Sequence, residues 1–412
     1  MLLVQKFGGS SVATPSHIAQ VAKKIQQVLG RGDQVVVVVS AMGDSTDHLV
    51  GLAEALADIP SGREMDALLS TGELVTTALL AMTLEQLKIP ARSFSGAQAG
   101  IQTSYDFGRA RIESIDPTQL RQALAVGITP VVAGFQGVTA GGDVSTLGRG
   151  GSDLTAIALA GALNADRCEI YSDVAGVYTA DPRIVPDAVP LSRLSYDEML
   201  ELASQGAQVL QTQAVAYAKG NQVVIHARST FQDEPGTQIA TEPVIPVRPA
   251  VTGLAINRHV AKVGLLGVPD SPGVAALLFS ELAEHGINIE LVIQSVSHDK
   301  LNDIAFTIDD QDVSRARPIV EQCLTMLHGQ AVVIDDRVAK ISAIGSGMLG
   351  QPGVAARVFK ALADADINIQ MIGTSEIKIS CIVARDDAER GLAQIHNAFG
   401  LNGLVDVVED PQ

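Results

Sequence analysis

Over the first two thirds of the chain, short apolar runs alternate with longer amphipathic stretches. The runs at 2–7, 34–40, 91–95, 129–134, 167–171 and 222–227 read as strands. The stretches at 15–29, 46–57, 64–87 and 152–163 carry a helical period. Val35 through Val39 form an unbroken apolar run, the pattern of a strand buried on both faces. Strands and helices alternating at this spacing imply an α/β fold with a mostly parallel sheet sandwiched by helices. The pattern lapses at 241–249, where Pro243, Pro246 and Pro249 interrupt it. A boundary there divides the chain into a domain at 1–240, a linker at 241–251 and a C-terminal region at 252–412.

The C-terminal region repeats itself. Pro272-Gly273-Val274-Ala275 recurs as Pro352-Gly353-Val354-Ala355, and Ile287-Asn288-Ile289 recurs as Ile367-Asn368-Ile369. Phe279 and Leu282 match Phe359 and Leu362 at the same offset of 80 residues. Each copy reads as strand, Pro-Gly turn, amphipathic helix and Ile-Asn-Ile strand, and two such small units are expected to pair. Gly345-Ser346-Gly347-Met348-Leu349-Gly350 fits a dinucleotide-binding pattern. The matching segment of the first copy, 267–271, lacks that pattern, so the segment reads as a turn.

Composition narrows the choice. Hydrophobic residues make up 47% of the 412, aromatics 3%, and tryptophan is absent. Valine, isoleucine, leucine and alanine must therefore fill the cores, and the length suits two or three domains. A net charge of −17 argues against nucleic acid or an anionic membrane as partner. Cys168, Cys323 and Cys381 are few and widely spaced, as reduced thiols in a cytoplasmic protein would be. No signal peptide or unbroken apolar run of membrane-spanning length is apparent.

Candidate chemistry clusters at predicted strand ends. Lys6-Phe7-Gly8-Gly9-Ser10-Ser11 puts a mobile cation beside two glycines, with a helix starting near Pro15 to turn its positive end on the same spot. This is either a phosphate site or a plain strand-to-helix turn. The stretch from Ser40 to Asp47 offers small and hydroxyl residues, either for a ligand or as a helix cap at Ser45 or Thr46. Glu73 lies in an apolar helical stretch, where its carboxylate needs a ligand ammonium or a structural arginine. Arg149, flanked by Gly148 and Gly150 and followed by Gly151-Ser152-Asp153, suits a carboxylate or phosphate ligand. The segment 172–182 offers polar groups for a nucleotide and Mg²⁺. Together these sites suit phosphoryl transfer between a nucleotide and a small zwitterion.

The order Lys-Phe-Gly-Gly (6–9), Ser-Ala-Met-Gly-Asp (40–44), Ser-Thr-Gly-Glu (70–73), Val-Ala-Gly-Phe-Gln-Gly (132–137), Gly-Arg-Gly-Gly-Ser-Asp (148–153) and Tyr-Ser-Asp-Val (171–174) resembles the aspartokinases, a branch of the amino-acid kinase family. The duplicated region resembles a tandem pair of ferredoxin-like βαββαβ ACT units. The resemblance covers essentially the whole chain. It implies ATP- and Mg²⁺-dependent phosphorylation of the β-carboxylate of L-aspartate, the first step toward lysine, threonine, methionine and diaminopimelate. That carboxylate is already ionised at neutral pH, so positioning and charge neutralisation must carry catalysis.

By the same resemblance, Lys6 neutralises the transferring phosphoryl group beside Asp153. Arg149 holds the α-carboxylate of aspartate and Glu73 orients its ammonium. Ser40, Thr46, Gly150, Gly151 and Ser152 line the substrate side. Phe7, Gly8, Gly9, Ser172, Asp173, Tyr178, Asp181 and Gln208 fall on the ATP side. Lysine, threonine or both are implied as inhibitors at Asp270, Val274, Ala275, Asn288, Ile289 and Gln294 of the first unit and Val354, Ala355, Asn368 and Ile369 of the second. Each asparagine also reads as a buried structural residue. ACT pairing implies a homo-oligomer or an α/β subunit assembly. The sequence departs from the family where Gln208 replaces a phosphate-contacting lysine, Gln213 an arginine and Gly373 a serine. Lys219 is a candidate substitute cation. Two alternatives stay open: a kinase for another carboxylate, and an amino-acid sensor without turnover.

Overall fold

The computed structural model describes residues 1–57, 60–207, 209–241, 249–295 and 300–403. It opens with β1 (Leu2–Phe7), α1 (Pro15–Leu29) and β2 (Gln34–Val39). Helices α2 (Ser45–Glu54), α3 (Gly62–Leu69) and α4 (Thr71–Gln86) follow. Next come β3 (Ala91–Phe94), β4 (Ile101–Thr103), β5 (Ile112–Ile115), α5 (Thr118–Ala125), β6 (Thr129–Ala133), β7 (Gln136–Thr139) and β8 (Val144–Thr146). Then α6 (Gly151–Leu163), β9 (Arg167–Ser172), β10 (Arg193–Ser195), α7 (Tyr196–Ser204), α8 (Thr212–Asn221), β11 (Ile225–Ser229) and β12 (Thr237–Ala240) complete the first domain.

Its main sheet has eight strands in the order β10-β12-β11-β9-β1-β2-β6-β3. Every pairing is parallel except β11 with β12. The valine run explains how the layers close. Val35, Val37 and Val39 point into a core shared with α1 and α4, while Val36 and Val38 join the core beneath α6. A strand with apolar groups on both faces can be satisfied only between two helical layers. A smaller sheet, β5-β4-β7-β8, carries loops toward the C-terminal edge of the main one.

Local chemistry sets several element bounds. The Thr14 side chain accepts the N–H of His17, and Pro15 takes the first helical position, so α1 begins where a cap and a preset φ coincide. The helical stretch expected at 64–87 is two helices broken at Ser70, whose hydroxyl turns back to the Ala67 carbonyl at 2.9 Å. The combined run 62–86 has the length and apolar character to cross a membrane. Its Leu80, Ala81 and Leu84 instead pack into the core with α1 and β2.

The C-terminal region holds β13 (Gly253–Asn257), β14 (Ala261–Pro269), α9 (Val274–Glu284), β15 (Val292–Gln294), β16 (Leu301–Ile308), α10 (Val313–Met326) and β17 (Ala331–Asp335). It continues with β18 (Val338–Ile344), α11 (Val354–Asp364), β19 (Met371–Thr374), β20 (Lys378–Ala384) and α12 (Ala388–Ala398). The first unit's sheet is β15-β16-β14-β17, and the second is β13-β18-β20-β19. The second unit therefore draws its fourth strand from upstream of the first, which sits as an insertion between β13 and β18. The duplication also shows in the contacts. Lys340 donates to Glu290 across the unit boundary, and Lys262 donates to Gln370, the residue 80 positions beyond Glu290. The Gly345–Gly350 segment is a 3₁₀ turn, as expected: a Cβ at Gly345 would lie 2.4 Å from the Ala250 carbonyl oxygen.

Helix α7 joins the two parts. Glu198 accepts from the Thr252 hydroxyl at 2.8 Å, Glu201 pairs with Lys378 at 2.8 Å, and Gln205 accepts from Ser342 at 3.0 Å.

Candidate active site

The parallel strands β1, β2, β6 and β9 end side by side, and a cavity of about 620 Å³ opens at their C-terminal edge. Ligands gather at this edge of open α/β sheets because loops and helix N-termini converge there. Lys6, Gly9, Ser40, Thr46, Glu73, Arg149, Gly150, Gly151, Ser152, Asp153 and Ser172 all line it. Segments scattered over more than 160 residues thus meet in one site.

Lys6 is the penultimate residue of β1, and its Nζ lies 2.6 Å from Asp153 Oδ1, with both side chains largely buried. Asp153 sits in the first turn of α6, whose N-terminus faces the cavity. That helix supplies the positive dipole end that the sequence assigned to α1. No residue of α1 lines the cavity, because α1 starts only after the 3₁₀ turn Ser10–Val12 has carried the chain away. Gly8 does not line the cavity either. Its N–H is spent on the Tyr171 carbonyl at 3.1 Å.

Glu73 is 3% exposed. Its Oε1 accepts the Ala41 N–H at 3.1 Å, while Oε2 is buried with no hydrogen-bond partner. Burial pushes its carboxyl up to about 7, against smaller opposing pulls from the backbone N–H groups of Glu73 and Ala41. Among the described residues no arginine or lysine pairs with it, which removes the structural-arginine reading. An oxygen orphaned in this way, in a cavity wall, has an acceptor site left for a hydrogen-bond donor.

Arg149 is exposed, lines the cavity and has no acidic partner among the described residues. The flanking glycines are required, since Gly148 and Gly150 adopt φ of +75° and +73°. A guanidinium lifted between two left-handed residues is free to meet an incoming anion.

Other expected residues lie elsewhere. Phe7 is buried and stacks on Tyr171 with ring centroids 4.8 Å apart. Asp173, Tyr178 and Asp181 are outside the cavity lining, and Asp181 is held by Arg183 at 2.6 Å. Gln208 lies outside the described residues. Gln213 is exposed on α8, and Lys219 pairs with Asp197 at 2.6 Å rather than reaching the site. Thr46 follows the first residue of α2, which neither it nor Ser45 caps; Ser45 Oγ donates to the Met42 carbonyl. The cavity also contains residues that the sequence did not single out for this role, among them Asp66, Phe135, Thr146 and Gln211. Asp66 lies on α3 and Glu73 on α4, on either side of the break at Ser70, so their seven-residue spacing carries no signal that both face the cavity.

In the C-terminal region, Asn288 and Asn368 are both exposed, against the reading of them as buried structural residues. Asn288 and Glu290 line a second cavity of about 320 Å³ with Asn257 and His259. Ala275 and Gln294 are exposed, and Ile289, Ala355 and Ile369 are half-buried. Val274 and Val354 point into the cores of their own units, and Asp270 accepts from Asn302 at 2.8 Å.

Residues 1–228 match the model of the amino acid kinase family, and 265–322 and 341–399 each match an ACT domain. The aspartokinase of Corynebacterium glutamicum is 48% identical over 98% of this chain and 97% of its own. The chain belongs to the aspartokinases of the amino acid kinase family. Among solved structures, E. coli aspartokinase III in complex with aspartate and ADP, its R-state, superposes with a TM-score of 0.82 at 26% identity. That match covers 97% of this chain and 99% of the other. The same enzyme with lysine and aspartate, its T-state, gives 0.75 at 27% identity over the same shares.

Proposed function

We propose that the chain transfers the γ-phosphoryl group of ATP to the β-carboxylate of L-aspartate, giving 4-phospho-L-aspartate and ADP. One observation carries this reading: the Lys6–Asp153 pair, the orphaned Glu73 oxygen and the unpaired Arg149 guanidinium share one cavity. The cations suit the charges of a triphosphate and an α-carboxylate, and Glu73 suits an α-ammonium. Held at both α-groups, aspartate is left with its β-carboxylate free to turn toward Lys6.

No base is required, because the attacking oxygen carries no proton. The site acts by alignment and by meeting charge that builds on the transferring group. Lys6 moves with that charge, and Asp153, 2.6 Å away, keeps its ammonium aimed. The α6 N-terminus turns its positive dipole end on the same charge, the Gly151 N–H itself being spent on the Gly148 carbonyl at 3.0 Å. Mg²⁺ carried by the nucleotide fits this donor set. Among the described residues no group of three or more side-chain ligands exists to hold an ion alone; the exposed Asp47 and the Lys6-paired Asp153 are cavity carboxylates that would meet it. When bound, the ion supplies further charge neutralisation at the phosphates.

We divide the chain into a catalytic domain at 1–240, a linker at 241–251 and a regulatory region at 252–412. The bounds β12 (ending at Ala240) and β13 (starting at Gly253) support that division. Lysine, threonine or both act as inhibitors at the ACT units, for which the exposed Asn288, Gln294 and Asn368 offer polar groups. The buried free thiols suit a cytoplasmic enzyme, and unit pairing suits an oligomer or α/β assembly.

An ADP-release assay with aspartate, glutamate and N-acetylglutamate tests the reading. Turnover with aspartate alone is expected. Turnover with another acid and not aspartate, or with none, would overturn it.

A further inference from the structure

Asp66 takes no part in the site as described so far, although it lines the same cavity. Its side chain projects from α3 and is fully buried, at 0% exposure. A carboxylate removed from water needs either a cation or a full set of donors. Among the described residues no lysine or arginine pairs with it; it has donors instead. Oδ2 accepts the N–H of Gly108 at 2.9 Å and the N–H of Thr146 at 2.7 Å, and Oδ1 accepts the Thr146 hydroxyl at 2.7 Å.

These bonds tie two separate segments to one helix. Thr146 ends β8, and Arg149 stands three residues beyond it. Gly108 belongs to the turn that the Arg149 loop rests on: a Cβ at Gly148 would lie 3.1 Å from the Gly108 carbonyl oxygen. The two segments are also joined directly, with Ala110 N–H donating to the Thr146 carbonyl at 2.8 Å. Leu147, between the anchor and the loop, is buried and donates its N–H to Phe135. The base of the loop is thus rigid, and Gly148 and Gly150 give its tip its shape.

We infer that Asp66 is a positioning residue for Arg149. It fixes the root of the loop from which the guanidinium reaches the substrate, and does not itself bind substrate. This rests on the reading of Arg149 as the anchor for the α-carboxylate of aspartate.

The test uses the full chain with Asp66→Ala, Asp66→Asn, Thr146→Val, Arg149→Ala and the double variant Asp66→Ala/Arg149→Ala. Asp66→Ala is expected to raise KM for aspartate by about tenfold or more, with KM for ATP changed by less than about twofold. Asp66→Asn should recover most of that loss, since its Oδ1 can still accept both N–H groups while its amide donates to a reoriented Thr146 hydroxyl. Thr146→Val removes one bond of the three without emptying the site, and should shift KM for aspartate in the same direction by about two- to fivefold. The double variant should match Arg149→Ala alone, because a positioning residue has nothing left to position. A merely structural role would lower the melting temperature and leave KM for aspartate where it was. That result, additive effects in the double variant, or an unchanged KM in Thr146→Val would overturn the inference. Should Asp66→Ala not fold, Thr146→Val alone and combined with Arg149→Ala decides by the same criteria. An Arg149→Ala variant with wild-type KM would instead sink the reading of Arg149 itself.

Discussion

The Glu198 carboxylate, on a helix of the kinase fold, accepts both the backbone N–H and the hydroxyl of Ser346, each at 3.0 Å, from the first turn of the second ACT unit. The same side chain closes a capping box with Ser195 at the start of α7. One buried carboxylate therefore both starts this helix and docks it on the regulatory region. Burial pushes the Glu198 carboxyl up, but hydrogen bonds from Ser346, Thr252 and Ser195 together hold it below the ordinary value. A depressed value means the contribution to stability is present above the unfolded carboxyl's range and is lost as pH falls through the folded one. Glu198→Ala leaves several buried donors unsatisfied and is expected to cost about 2–4 kcal/mol. A drop in melting temperature measured at neutral pH, shrinking as the pH is lowered, checks this. The chain beyond α7 reaches the cavity at Val209, Leu210 and Gln211, so the variant is also expected to weaken inhibition by bound amino acids.

Lys6 has Asp153 as its partner and the cavity as its outlook. Replacing it with alanine is expected to lower kcat by about 10²–10³-fold or more, the usual consequence of deleting a preplaced cation at a transition state. Calorimetric binding of lysine or threonine should survive, since the ACT units lie elsewhere. A Lys6→Ala enzyme turning over at the wild-type rate would show that another group meets the phosphoryl charge.

Aspartate binding is expected to have a pH limb, the proposed partner of the α-ammonium being Glu73. With its carboxyl near 7, the free enzyme is part protonated at neutrality, and only the ionised form attracts an ammonium. Between about pH 6 and 8, kcat/KM for aspartate is expected to rise and then level off, and Glu73→Gln should flatten the limb while raising KM. The sign for stability is the opposite. A raised carboxyl favours the ligand-free fold fully below the unfolded value of 4.5, and that contribution fades as pH climbs through about 7. Added aspartate should therefore stabilise the chain more at pH 8 than at pH 6, as read from melting temperatures.

His396 is fully buried on α12, with Nε2 2.9 Å from the Thr179 hydroxyl and Nδ1 unpartnered. Burial lowers its tendency to take a second proton. Stability contributed by the neutral ring is present above the unfolded value of 6.5 and lost as pH falls below it. Melting temperatures taken from about pH 8 down to 5 should fall less steeply for His396→Gln than for the unaltered chain.

The elements that could be read from sequence are those whose signals are local. The bounds of α1 follow from Thr14 and Pro15, and β2 announces itself in its valines. Strand β11 begins at Ile225 rather than at Gln222, because Gln222 takes a left-handed conformation and ends α8 instead. Strands β4, β5, β7 and β8 have three or four residues each, too few for an alternation to register. The partnership of β13 with β18 joins Gly253 to Ile344, and no local pattern reports a contact across such a span. Lys6, Glu73 and Arg149 stood out because each has an unusual neighbourhood: a glycine pair, an apolar helix, two flanking glycines. Asp66 did not, since Arg63-Glu64-Met65-Asp66 looks like a solvated helix face until burial reveals which way it turns.

Because β13 edges the sheet of the unit that follows the inserted one, the effector-reading half is woven rather than strung. A piece of chain begun anywhere past Asn257 would leave β18 with a bare flank along five residues, from Lys340 to Ile344. Such a flank invites pairing with whatever extended peptide is nearby. A regulatory fragment made on its own must therefore keep the short ribbon at 253–257, or find a substitute for it in another molecule.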